Sequence, residues 1–93
     1  MQVTGIVKQI GETASFGLKD FLKREFVVTT VEQYPQHILI ELHGHRVDLI
    51  DPYKIGDNVV VTFNLNGREW DNGKGEIRYF NSLVAWKIQY FKS

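Results

Sequence analysis

The chain has no cysteine and only two prolines among its 93 residues. Without cysteine, neither a disulfide framework nor a zinc site with thiolate ligands can form. No apolar run approaches the roughly 18 residues that a membrane-spanning helix needs, so we expect no association with a membrane. The 11 basic and 11 acidic residues cancel. This balance argues against a protein that holds duplex DNA through its overall field, for which a pI above about 9 is usual.

What the chain does contain is typical of a globular protein. Hydrophobic residues make up 43% of the sequence and aromatic residues 13%, enough for one modest core in a single domain over residues 1–93. The amino terminus, MQVTGIVKQIG, has neither the charged start nor the apolar block of a signal peptide. We therefore expect a cytoplasmic protein.

No catalytic motif is present. The sequence has no serine in an elbow motif, no glycine-rich phosphate loop and no HExxH, so we expect no enzyme. The histidines His37, His43 and His45 suggest a metal site. However, His37 and His43 stand six residues apart on a predicted strand, about 20 Å at the strand rise, and cannot bind one ion. We therefore expect no metal and no cofactor.

Hydrophobic alternation predicts five strands with a short helix between the third and the fourth. Ile38, Ile40 and Leu42 alternate with His37, Leu39, Glu41 and His43, which predicts a strand with one core face. Gly5 in the first strand indicates a bulge or bend. The predicted strands are 2–10, 22–31, 36–43, 59–68 and 78–88, the helix is 45–53, and 11–17 is a loop.

This order of elements predicts an all-β protein. Five strands with a helix between strands 3 and 4 is the order of the OB-fold, a Greek-key barrel. A five-stranded roll of the SH3-like type is the alternative, and the position of the helix favours the OB-fold.

The last two predicted strands flank a turn-rich tip at residues 71–75. Trp70 stands at the base of this tip, with Arg68 and Arg78 on either side. A long hairpin that offers an aromatic ring among cations is typical of proteins that hold single-stranded nucleic acid. Trp86, in an apolar strand, is expected in the core or in a subunit interface.

The second half of the chain matches a known pattern without a gap. The matching residues are Gly56, Val59, Val61, Leu65, Arg68, Trp70, Gly75, Arg78, Tyr79, Leu83, Val84 and Ala85. In this pattern the chain resembles the single-stranded DNA-binding proteins of bacteria and phages and their relative, primosomal replication protein N. The tail-less end after Ser93 favours the primosomal protein, a small phage version, or a short uncharacterised branch of this family.

The resemblance implies which residues contact a bound strand. Trp70 stacks on a base, and the family's other stacking positions map onto Tyr34, His37 and His43; the flat ring of Tyr79 is also suited to stacking. Glu41 shares the face of His37 and His43, where it would repel phosphate. The candidate phosphate contacts are Lys8, Lys19, Lys23, Arg24, Arg68, Lys74 and Arg78.

The sequence therefore predicts a sequence-tolerant single-stranded DNA-binding protein that acts in replication, repair or recombination. An OB-fold module that binds another protein is the alternative, favoured by the zero net charge and by Glu41. Single-stranded RNA is a further alternative to DNA. The apolar first and last strands predict a homodimer or homotetramer, and replication proteins are possible partners.

Overall fold

Six strands and one short helix make up most of the chain in the computed structural model, which describes residues 1–18 and 20–92. The strands contain the apolar alternation that the sequence predicts, and glycine-containing turns separate several of them. The elements are β1 (Gln2–Ile10), β2 (Ala14–Phe16), β3 (Phe21–Thr30), β4 (His37–His43), a 3₁₀ helix (Gly44–Ile50), β5 (Asn58–Asp71) and β6 (Ile77–Tyr90).

The predicted all-β class is confirmed, and three differences in detail exceed a shift of one residue. The predicted loop at 11–17 contains β2, a three-residue strand that pairs with the start of β3. The predicted hairpin is longer at both ends. The helix ends at Ile50 rather than at residue 53, because Pro52 lacks an N–H and restricts the residue before it.

The helix is of the 3₁₀ type. Its buried side chains, Val47 and Ile50, are three residues apart, which suits a helix of three residues per turn. No helix in the described parts of the chain has the length and apolar character to cross a membrane.

The strand pairings run around a ring. β1 pairs with both β3 and β5, β5 pairs with β6, β6 pairs with β4, and β4 pairs with β3. All of these pairs are antiparallel except β4 with β6, which is parallel and is registered at Glu41 and Val84. The result is a barrel-like sheet with β2 added beside β3.

Gly5 lies where β1 changes partner. It pairs with Thr30 of β3 and with Val59 of β5. A Cβ atom at this position would lie 2.3 Å from the carbonyl oxygen of Thr29. Glycine is therefore required for the close approach of two backbones. The register shift in β1 occurs beyond Gly5, between Val7 and Gln9, which leaves Lys8 at the irregularity.

The core lies inside this ring. Its side chains come from the inward-facing positions of β1, β3, β4, β5 and β6 and from the helix, as the alternation predicts. The buried hydrophobic residues are Val7, Phe26, Val28, Ile40, Leu42, Val47, Ile50, Val59, Val61, Phe63 and Ala85. Trp86 is not among them: 44% of its surface is exposed, because a register shift between β5 and β6 falls beside it. Of the two expected positions for Trp86, the core is wrong, and a subunit interface stays a prediction.

Beyond the core, β5 and β6 continue as a projecting hairpin arm, residues 64–83. Nearly all of its side chains are exposed. The radius of gyration is 14.9 Å, whereas a compact chain of this length would have about 12 Å. The arm accounts for the difference and provides a long surface with two solvent-facing sides.

Arg24, on the core side of β3, hydrogen-bonds to the segment after β1, to the helix and to the residue after the helix. Its Nε donates to the carbonyl oxygen of Gly11 at 2.9 Å, and its Nη1 donates to the carbonyl oxygen of Val47 at 3.2 Å and to Asp51 Oδ1 at 2.6 Å. Only 16% of the Arg24 side chain is exposed. Arg24 therefore has intramolecular partners, since β3 alternates and places it on the side of Phe26. Its role as a phosphate contact stays a prediction.

Two tyrosines join the segment after the helix to β6. The Tyr53 hydroxyl donates to the carbonyl oxygen of Ile88 at 2.9 Å, and the Tyr90 hydroxyl donates to that of Pro52 at 3.2 Å. The rings lie 4.8 Å apart. Burial raises the pKa of Tyr53 above its usual value, and the neighbouring Tyr90 raises it further. The neutral Tyr53 hydroxyl therefore contributes to the stability of the fold below about pH 10. This contribution is lost as the pH rises through the raised pKa of the folded state.

We predict that Gly5→Ala destabilises the protein by about 2–3 kcal/mol, because the new methyl group meets backbone atoms of β3 that cannot move away without opening the sheet. Gly67→Ala is the matched control, since its Cβ would meet only the Asn81 side chain, at 3.4 Å. It should change stability by no more than about 0.5 kcal/mol. Urea unfolding measures both, and equal stabilities would contradict the close approach at Gly5.

We predict that Arg24→Met lowers the free energy of unfolding by about 1–3 kcal/mol, because the carbonyl oxygens of Gly11 and Val47 lose a charged donor. Lys23→Met, on the neighbouring position, should cost less than about 1 kcal/mol, since Lys23 makes a partly exposed ion pair. The comparison uses thermal and urea unfolding. A larger loss for Lys23 than for Arg24 would contradict the structural role of Arg24.

Candidate nucleic-acid interface

A groove of about 430 Å³ lies on the outer face of the sheet, between the ends of β3 and β4 and the base of the hairpin arm. The odd-numbered positions of β3 and β4 and the even-numbered positions of β5 and β6 point away from the core, so four strands contribute side chains to it. Asn81, which pairs with Gly67, also lines the groove although its position is odd-numbered. The lining residues are Phe21, Lys23, Glu41, His43, Asn66, Arg68, Phe80, Asn81 and Ser82.

Aromatic rings stand on two sides of this groove. Phe21 is 47% exposed and Phe80 is 48% exposed. The ring of His43 meets that of Phe21 edge to face, with centroids 5.2 Å apart. Exposed flat rings in a concave surface offer stacking platforms to planar ligands.

One carboxylate and two cations share the groove. Glu41 Oε1 is 2.8 Å from His43 Nε2 and 3.6 Å from Lys23 Nζ. The ion pair with Lys23 offsets the repulsion that Glu41 would exert on an anionic ligand. Across residues 1–18 and 20–92, Arg68 has no acidic side chain within ion-pair distance, so its guanidinium is free to bind an anion.

The same face of the arm continues toward the tip. Arg68 pairs with Phe80, and Trp70 pairs with Arg78 two positions farther out. Directly opposed residues in an antiparallel pair lie on the same face, so the four side chains form one stripe that leads out of the groove. Trp70 is 48% exposed. The stripe alternates cations with aromatic rings.

A hydrogen-bonded turn forms the tip of the arm. Asp71 Oδ1 accepts the N–H of Gly73 at 2.8 Å, and Asn72 Oδ1 accepts that of Lys74 at 2.7 Å. Gly73 and Gly75 have φ angles of 77° and 87°, in the region that favours glycine. The Asp-Asn-Gly sequence therefore sets the register that brings Trp70 opposite Arg78.

The structure brings some of the predicted contact residues together and separates others. Lys23, His43 and Arg68 line the groove, and Trp70 and Arg78 extend it. Tyr79 pairs with Glu69 on the opposite face of the arm. Lys74 lies in the turn at the tip. Lys19 lies outside the described residues.

Three further predicted residues lie away from this groove. Tyr34 is 74% exposed in the segment between β3 and β4. His37 shares the outer face of β4, but it lies at the other end of the strand, where its Nδ1 is 2.9 Å from Thr29 Oγ1. Lys8 is on β1, which contributes no residue to the groove lining.

Phe21 and Phe80 are not among the contact residues predicted from the sequence. The signal for Phe80 was available, because Phe80 alternates with Arg78 and so shares its face, whereas Tyr79 does not. No comparable signal existed for Phe21, whose place beside His43 depends on the register between β3 and β4. Asn66, Asn81 and Ser82 add amide and hydroxyl groups that can bind base edges.

No metal centre accompanies these groups: within the described ranges, no three His, Asp or Glu side chains converge as ligands would. The groove therefore offers stacking, hydrogen bonding and a limited positive charge. These are means of binding a planar, anionic ligand.

Comparison with proteins of curated function finds no match. A family model described as "Domain of unknown function (DUF3127)" matches residues 2–89. The match runs from the start of β1 almost to the end of β6, and it includes every residue of the groove. The chain therefore belongs to the DUF3127 family.

Proposed function

We propose that the protein has an OB-fold and binds single-stranded DNA through the groove and the stripe on the arm. The fold proposal is supported by the ring of five paired strands, by the parallel pairing of β4 with β6, and by the helix between β4 and β5. Small barrels of this class bind oligonucleotides on the outer face of their central strands.

The observation that carries the binding proposal is the common face of Arg68, Phe80, Trp70 and Arg78, continuous with the groove. A single strand has exposed bases and a regular row of phosphates, and this face offers rings for the former and guanidinium groups for the latter. Stacking accepts any base, so binding has broad sequence tolerance. In the cell, such a protein protects or presents single strands during replication, repair or recombination in the cytoplasm.

A protein-binding function is the alternative, and one observation favours it. The opposite face of the arm exposes Leu65, Ile77 and Tyr79 next to Glu69 and Asp71. This apolar and acidic face does not suit nucleic acid, but it suits a protein, such as a replication protein or a second copy of the chain. Single-stranded RNA has the same bases and phosphates as DNA and is a second candidate ligand.

We also propose a homodimer or homotetramer. Residues Gln2, Val3 and Thr4 of β1 pair only with β5, whereas the pairing with β3 begins at Gly5. The other edge of this segment offers its backbone groups to a second chain, as unpaired strand edges do.

Two single-tryptophan variants test the binding proposal. In Trp86→Phe the fluorescence reports Trp70, and oligo-dT should quench it; in Trp70→Phe the remaining signal from Trp86 should change little. Trp70→Ala should weaken binding about 5- to 150-fold, as expected for the loss of one stacked base. Trp86→Ala is the control, since Trp86 lies away from the groove.

Salt dependence provides an independent check on the same complex. Three to five phosphate contacts predict that the logarithm of affinity falls with the logarithm of salt concentration at a slope of about −2 to −3.5. If oligo-dT does not quench the Trp70 fluorescence at micromolar protein and low salt, the nucleic-acid proposal is contradicted and the protein-binding one is favoured.

Light scattering tests self-association. We expect two or four times the chain mass of 10.8 kDa, reduced by Thr4→Lys, because a lysine beside an open edge disfavours strand addition. Thr13→Lys, in the exposed segment before β2, is the matched control. Only monomer at high protein concentration would refute the proposal.

A further inference from the structure

We propose that Glu41 makes the groove select guanine among the bases of a bound single strand. This inference rests on the proposed function and adds a specific contact to an otherwise sequence-tolerant surface. Glu41 places a carboxylate where a purely phosphate-binding groove would have a neutral or cationic group.

Glu41 is held in place with one oxygen available. His43 and Lys23 both approach Oε1, at 2.8 and 3.6 Å. Oε2 has no hydrogen-bond partner among the described residues. If Oε2 were also buried, it would be a buried oxygen without a partner, and the described residues contain no such atom. Oε2 is therefore in contact with solvent, and since Glu41 lines the groove, it is available to a ligand there.

The surroundings fix the orientation of a bound nucleotide. Arg68 and Arg78 are on the arm, whereas Lys23, the cation beside Glu41 on the other side of the groove, is already ion-paired with that carboxylate. The backbone of the strand is thus directed toward the arm and a base toward β4. Phe21 and Phe80, on the groove walls, stack with that base.

The chemistry of the base edges then decides which base fits. An ionised carboxylate only accepts hydrogen bonds. On their Watson–Crick edges, adenine and cytosine place a ring-nitrogen lone pair beside the amino group, and thymine places a carbonyl oxygen on each side of its N–H. Guanine alone presents two adjacent donors, N1–H and the N2 amino group. It can therefore approach Glu41 without bringing an acceptor next to it.

The test compares strands of equal length that alternate thymine with guanine or with hypoxanthine, together with oligo-dT. Hypoxanthine lacks only the N2 amino group. We expect the guanine strand to bind about tenfold more tightly than the hypoxanthine strand, as for one hydrogen bond to a charged acceptor. Fluorescence anisotropy of labelled strands measures these affinities on the unmodified protein, so the result does not depend on whether a variant folds.

Variants assign the preference to Glu41. Glu41→Gln should remove it, because the amide replaces one acceptor by a donor, whereas the same change in Glu69→Gln, on the opposite face of the arm, should leave it intact. Equal binding of all three strands would overturn the role of Glu41 and leave the proposed function standing. Failure of every strand to bind would overturn both. Ribose versions of the strands show whether guanine is preferred in RNA as well as in DNA.

Discussion

The pairing of β1 with two strands is the constraint on which the rest of this structure depends. Around Gly5, one short segment of backbone joins β3 to β5 and closes the ring of strands. Closure gives the inward-facing side chains a common core, and it forces the outward-facing side chains of β3, β4, β5 and β6 onto one curved surface. The close backbone approach at Gly5 therefore determines both the stability of the fold and the position of the groove.

Arg24 and Lys23 are neighbours on β3, but strand alternation places them on opposite faces and gives them different partners. Arg24 points to the core side, where it links Gly11, Val47 and Asp51. Lys23 points outward, where it neutralises part of the charge of Glu41. A strand that carries adjacent basic residues thus contributes only every second one to its outer surface, and a count of basic residues overstates the charge available to a ligand.

Strand alternation also places different kinds of residue on the two faces of the hairpin arm. One face has cations alternating with rings, and the other has acidic and apolar residues. The zero net charge of the chain conceals this division, because the sum over a sequence says nothing about which face a charge occupies. The first face is the one on which the proposed single strand would bind, and the second is the one that favours the alternative of a protein partner.

Local pattern was enough to predict the all-β class, most strand positions and the place of Trp70 at the base of the hairpin tip, because alternation and turn chemistry act over a few residues. It could not place Phe21 beside His43, separate Tyr34 and His37 from the groove, or give Arg24 its internal partners. These depend on register and on closure between strands distant in sequence. The sequence alone determined which residues alternate and where the chain turns. Only the tertiary structure decided which outward-facing residues meet, since the partners of each strand are set by ring closure.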